Sequence, residues 1–288
     1  MQLTKPSVIK NIMERYGFRF SKSLGQNFLI EPSVLDRIIE GAEITEQDGV
    51  LEIGPGIGTL TQYLADNAKR VVSVEIDKAL FPILKETLAE FPNTEVVSGD
   101  ALKVDFKALL AEKFPDCPVK MVANLPYYVT TPIIMRFLEE EIPVTDLVVM
   151  VQREVAERMA ASPGGKEYGS LSVAVQYFCE PQLLFRVSTG CFMPAPKVES
   201  AVIRLKRLTE PRVKVPDSAL FFATVRGAFG KRRKMLLNAL SDSNLNISKE
   251  QAGMALEAAG IDSKRRAETL TIDEFASLAN AVGVVKNA

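Results

Sequence analysis

A chain of 288 residues, 47% hydrophobic and 25% charged, with 17 Gly and 16 Pro, has the composition of a folded globular protein, which excludes disorder and collagen-like repeats. Its 35 Lys and Arg against 36 Asp and Glu give a net charge of -1, excluding a chain that is basic throughout but not one with a local basic face. Histidine is absent, which removes Ser-His-Asp and Cys-His pairs, imidazole bases and His-ligated metals together.

From Gly49 to Arg207, short β-branched runs alternate with helical patterns. Residues 50–53, 71–74, 95–97, 120–123 and 146–151 read as strands, with helical spacing over 60–67 and 80–91 between them. This order predicts βαβ units on a parallel sheet, an α/β architecture. Residues 173–177 and 200–205 are expected to add strands and leave the sheet mixed at one edge. Beyond Leu208, Pro211 and Pro216 bracket a linker, and apolar spacing predicts helices over 218–226, 233–241, 249–260 and 272–281. The expected division is therefore an α/β domain over 1–207 and a small all-α domain over 208–288. Charge divides with it: the second part holds 12 basic and 9 acidic residues, the first 23 and 27.

Cys117, Cys179 and Cys191 are odd in number and lack C-x-x-C spacing, so no disulfide framework or four-cysteine metal site is expected. No apolar run reaches the roughly 18 residues of a membrane span, and no signal-peptide core is evident. These features predict a cytoplasmic protein without membrane association.

Residues 50–53 run into Gly54-Pro55-Gly56-Ile57-Gly58-Thr59, placing the glycines at the carboxyl edge of the sheet, where open α/β sheets bind ligands. Glycine permits close backbone approach, and the following helix offers free N–H groups. Glu75 lies 75 - 54 = 21 residues after the first glycine, at the end of the next strand, positioned to accept from ribose hydroxyls. NAD and S-adenosylmethionine both satisfy that spacing. Thr59 stands where a dinucleotide fingerprint requires its third glycine, favouring a ligand without a pyrophosphate. Asp100, after the third strand, can accept from an adenine amino group or serve as a turn residue.

Asn124-Leu125-Pro126-Tyr127-Tyr128 also follows a strand at the carboxyl edge. The Asn124 side-chain oxygen and the Leu125 backbone carbonyl can accept from an exocyclic amino group while an aromatic ring stacks on its base. This segment is similar to the motif of adenine N6 methyltransferases, and the whole chain resembles the ribosomal RNA adenine dimethyltransferase family. The resemblance rests on an ordered set: residues 23–29 (Ser-Leu-Gly-Gln-Asn-Phe-Leu), the glycine loop from Glu52 to Gly58, Glu75, Asp100, residues 124–128, and residues 192–198 (Phe-Met-Pro-Ala-Pro-Lys-Val).

The resemblance implies a Rossmann-like S-adenosylmethionine-dependent methyltransferase domain with a helical RNA-binding domain. It implies dimethylation at N6 of two adjacent adenosines near the 3′ end of small-subunit ribosomal RNA, in a partly assembled subunit. Asn27, Leu29, Gly54, Gly56, Glu75, Asp100 and Asn124 would hold the cofactor. Asn124, Leu125, Pro126, Tyr127 and Phe192 would hold the target base. Many relatives carry Asn where this chain has Tyr128, so stacking is assigned to Tyr127.

RNA phosphates are expected to meet a basic set comprising Arg204, Lys206, Arg207, Lys231, Arg232, Arg233 and Lys234. No metal is expected, and the chain is expected to act as a monomer. Competing readings are a large-subunit ribosomal RNA adenine methyltransferase, a non-catalytic assembly factor, and a nicotinamide-dependent reductase.

Overall fold

The computed structural model describes residues 1–21, 24–231 and 233–287, so Ser23 and Arg232 of the expected sites lie outside the described residues. The chain opens with α1 (Pro6–Tyr16), β1 (Phe28–Leu29), α2 (Pro32–Ala42), β2 (Gly49–Ile53), α3 (Thr59–Ala65) and β3 (Arg70–Glu75). It continues through α4 (Phe81–Thr87), β4 (Thr94–Ser98), α5 (Phe106–Lys113), β5 (Val119–Asn124), α6 (Thr130–Glu139), β6 (Asp146–Gln152) and α7 (Arg153–Met159). Then follow α8 (Ser170–Phe178), β7 (Cys179–Val187), β8 (Phe192–Met193), β9 (Ser200–Arg207), α9 (Ser218–Phe229), α10 (Leu236–Ser241), α11 (Lys249–Ala258) and α12 (Ile272–Asn287).

Seven strands form one sheet in the order β4-β3-β2-β5-β6-β9-β7. The first five are parallel, and β9 runs antiparallel to β6, pairing Asp146 with Lys206 and Gln152 with Ser200. The central strands β2, β5 and β6 are buried almost throughout, as expected where the sheet is covered on both faces, whereas edge strand β4 is only partly buried. Helix α2 shows how the cover is built: Val34, Leu35, Ile38 and Ala42 recur at helical spacing and are all buried, each larger side chain contributing about 2 kcal/mol. Because β2, β3, β4 and β5 are parallel, Ile53, Glu75, Ser98 and Asn124 all end at one edge, and the loops that follow converge there.

A second, two-stranded ribbon pairs β1 with β8, Phe28 opposite Met193 and Leu29 opposite Phe192. Its two faces serve different cores. Leu29 and Phe192 join the cluster under α2 and α3, whereas Phe28 packs with Phe18, Ile57 and Leu84.

The chain divides into two compact units, residues 1–156 with 182–207, and residues 157–181 with 208–288. The expected α/β domain over 1–207 thus loses residues 157–181 to the helical unit. Residues 173–177, expected to be a strand, lie in α8: Val173 and Tyr177 are buried in one core with Phe221, Leu236 and Phe275. The edge strand is instead β7, which begins at Cys179. In the helical unit Asp217 caps α9 by accepting from Leu220 N–H, and Ser248 with Gln251 forms a capping box on α11. No helix among the described residues is long and apolar enough to cross a membrane.

Candidate active site

At the carboxyl edge of the parallel strands lies a cavity of about 1090 Å³, counting its open mouth, lined by the glycine loop, Glu75, residues 99–102, residues 124–129, Phe192 and residues 24–29. Every residue expected at the cofactor or the target base lines this cavity: Asn27, Leu29, Gly54, Gly56, Glu75, Asp100, Asn124, Leu125, Pro126, Tyr127 and Phe192.

The glycine loop is shaped for a ligand. Gly54 has φ +70°, and a Cβ there would meet nothing within 4 Å, so its backbone faces open space. Gly56 has φ +60°, and its missing side chain is replaced by Phe28, whose ring would lie 2.9 Å from a Cβ. Residues 24–29 thereby close against the loop. Thr59, at the start of α3, keeps a buried hydroxyl without a hydrogen-bond partner, and it too lines the cavity.

Two carboxyl groups are buried here. Glu75 receives the backbone N–H groups of Gly56 and Asp77, the latter 2.7 Å from Oε1, while burial pushes its carboxyl above the ordinary range. Glu52 is wholly enclosed; Thr61 and Ser73 each donate to its Oε2 at 2.7 Å. Burial lifts its carboxyl to about 7, with the nearby Glu75 charge acting in the same direction. Asp100 accepts from Leu102 N–H at 2.9 Å, so it is a turn residue and a cavity residue at once.

The orientation of Asn124 is set by residues 24–29. Its amide nitrogen donates to the Asn27 carbonyl at 3.2 Å, which commits one of its two N–H groups and fixes the orientation of the amide, whose oxygen can accept from a ligand. Leu125 N–H donates to Met150 on the neighbouring strand, and Pro126 offers its carbonyl to Thr130 Oγ1 and Val129 N–H. The turn after β5 is therefore anchored at each step. Tyr127 shares a 2.6 Å hydrogen bond with the buried Ser200 hydroxyl, which fixes its ring from β9. Tyr128 stands exposed beside Gly25.

The basic set fares differently, and one assignment is corrected. Arg204 is buried, its Nε donating to the buried Asp146 at 2.7 Å and its Nη1 pairing with the exposed Glu43 at 2.6 Å, so its charge is already engaged by two carboxylates of the protein. Arg207 donates Nη1 to the carbonyls of Phe137 and Ile142 at the end of α6. Lys206 is exposed. Lys231 and Lys234 are half-exposed and share Asp242, while Arg233 is exposed.

Sequence reasoning missed Gln26, Asp77 and the buried acid role of Glu52. Gln26 and Asp77 meet across 51 positions, a contact with no local signature.

The ribosomal RNA adenine dimethylase family model matches residues 17–283. This chain belongs to that family. It is 58% identical over 281 residues to ribosomal RNA small subunit methyltransferase A of Alkaliphilus metalliredigens, covering 98% of both chains. The protein of the same name from Clostridioides difficile is 50% identical over 98% of this chain and 97% of its own. Among solved structures, a dimethyladenosine transferase from Plasmodium falciparum superposes with a TM-score of 0.73 at 28% identity, covering 87% of this chain and 95% of that one. The 23S rRNA methyltransferase ErmE gives 0.67 at 28% identity over 89% and 100%.

Proposed function

We propose that this family member transfers methyl groups from S-adenosylmethionine to N6 of two adjacent adenosines near the 3′ end of small-subunit ribosomal RNA, yielding N6,N6-dimethyladenosine. The observation carrying this reading is the Asn124 side chain: its amide nitrogen donates to the Asn27 carbonyl, and the residue lines the cavity that Glu75 and the glycine loop also line. The identity of 58% and 50% over nearly the whole chain to proteins named for the small ribosomal subunit supports the substrate. The reading extends to a cytoplasmic monomer acting on a partly assembled subunit.

S-adenosylmethionine, when bound, supplies an electrophilic sulfonium methyl. Glu75 would accept from its ribose hydroxyls, Asp100 from its adenine amino group, and the backbone around Gly54 and Gly56 would lie against its amino-acid end with Asn27 and Leu29. The open space at Gly54 and the unpartnered Thr59 hydroxyl fit such a polar guest.

The chain's task at the target is to shape a poor nucleophile. The N6 lone pair of adenine is conjugated into its ring, and two acceptors, Asn124 Oδ1 and the Leu125 carbonyl, hold the N–H groups so that the nitrogen pyramidalises toward the methyl. Tyr127, braced by Ser200, and Phe192 enclose the base once it leaves its stack. The methylated nitrogen is cationic and sheds its proton readily, so no imidazole base is needed. Lys206, Arg207, Lys231, Arg233 and Lys234 contribute phosphate contacts, which position rather than specify the RNA.

The test is Asn124→Ala. Calorimetry should find cofactor binding weakened by no more than about tenfold, the loss of one contact, while single-turnover methyl transfer at saturating cofactor falls by on the order of 10²-fold. A variant with near-normal transfer would remove Asn124 from the chemistry.

A further inference from the structure

We propose that Gln26 is a positioning residue that locks residues 24–29 over the cofactor cavity and thereby aligns both the ribose acceptor and the catalytic amide. This rests on the methyl-transfer reading above.

The Gln26 side chain bridges two points. Its Oε1 accepts from the Ser21 backbone N–H at 2.7 Å, and its Nε2 donates to Asp77 Oδ2 at 2.8 Å. Asp77 is already a junction: its other oxygen accepts from Ala79 N–H at 3.0 Å, and its own N–H donates to Glu75 Oε1. A single relay therefore runs from the N-terminal segment through Gln26 and Asp77 to the proposed ribose acceptor. The next residue, Asn27, carries the carbonyl that receives the Asn124 amide. Gln26 thus sits between the two halves of the site, one arm reaching the cofactor side and its chain neighbour fixing the target side.

An amide is required at this position by chemistry. One carboxylate oxygen must be met by a donor while a backbone N–H is met by an acceptor, and Gln presents both from one planar group. A carboxylate in its place would satisfy Ser21 N–H but set two negative oxygens at hydrogen-bond distance.

The experiment uses the full-length protein and S-adenosylmethionine. Gln26→Glu should weaken cofactor binding by calorimetry about tenfold, as expected for a lost hydrogen bond that leaves a charged group unpaired. It should also slow single-turnover methyl transfer at saturating cofactor, because Asn27 no longer holds Asn124. Adding Asp77→Asn restores the pair in reverse, the introduced amide donating to the introduced carboxylate while its oxygen keeps the cap on Ala79. The double variant should therefore bind within about threefold of the unaltered protein, a non-additivity expected only of groups in contact. A Gln26→Glu protein with unchanged affinity and rate overturns the proposal, as does a double variant no better than the single one. If the unaltered protein fails to bind S-adenosylmethionine, the methyl-transfer reading itself falls, and the positioning role with it.

Discussion

The two ends of the same parallel sheet treat buried charge in opposite ways. At the amino end, charges are matched: Arg204 lies between Asp146 and Glu43, and Lys120 pairs with Asp48 at 3.1 Å while donating to the Glu43 carbonyl. Arg204 accordingly holds the Glu43 carboxyl below its ordinary range. At the carboxyl end, Glu52 and Glu75 are surrounded by hydroxyls, backbone N–H groups and each other, and burial drives both upward. A buried ion with its partner is structure, whereas a buried acid held only by neutral donors has binding capacity left over. The difference separates scaffold from site without reference to any ligand.

The largest effect should come from breaking the matched end. Asp146→Ala removes the buried carboxylate that Arg204 pairs with and leaves it only the exposed Glu43, and urea denaturation should show a loss of about 4 kcal/mol. Cofactor affinity should be unchanged, because Asp146 lies at the opposite edge. A coupled loss of cofactor binding would erase the contrast between the ends.

Next is the pH dependence of the unmatched end. The ordinary value of 4.5 for Glu52 is raised to about 7 in the folded protein. Between those limits the unfolded chain has released a proton that the native state retains, so this stabilising contribution is complete below pH 4.5 and is lost as pH rises through 7. Relative to Glu52→Gln, the unaltered protein should lose roughly 3 kcal/mol across that window, read from urea denaturation at successive pH values. Parallel curves for the two proteins would show that Glu52 does not titrate there.

The smallest of the three concerns Glu75. Glu75→Gln should weaken S-adenosylmethionine binding about tenfold through loss of a charge-assisted acceptor, with thermal stability unchanged or higher because a buried ion has been removed. A destabilised variant with normal affinity would move Glu75 to the structural class.

Much of this was legible in the sequence. Strands β2, β3, β5 and β6 announce themselves because both faces are buried, which forces largely apolar runs, and the glycine loop, Glu75 and Asn124 each follow such a run directly. Residues 173–177 misled because Val173, Val175 and Tyr177 alternate like a strand, yet they are buried by packing in the helical core, and tertiary contact outweighs β propensity. The strand β7 was hidden by Pro181 and a mixed exposure pattern. Arg204 carries the same letter as a phosphate-binding arginine; only its ion pairs with Asp146 and Glu43 reveal a structural charge. Gln26 was invisible for a related reason, since its partner lies on another strand's loop and nothing in the local pattern of residues 24–29 announces it.

The most direct test of the account is labelled methyl transfer from S-adenosylmethionine to small and large ribosomal subunits prepared from cells lacking the endogenous modification, followed by nucleoside analysis. The account predicts label recovered as N6,N6-dimethyladenosine from the small subunit only. Label in the large subunit, or none in either while cofactor remains bound, would contradict it.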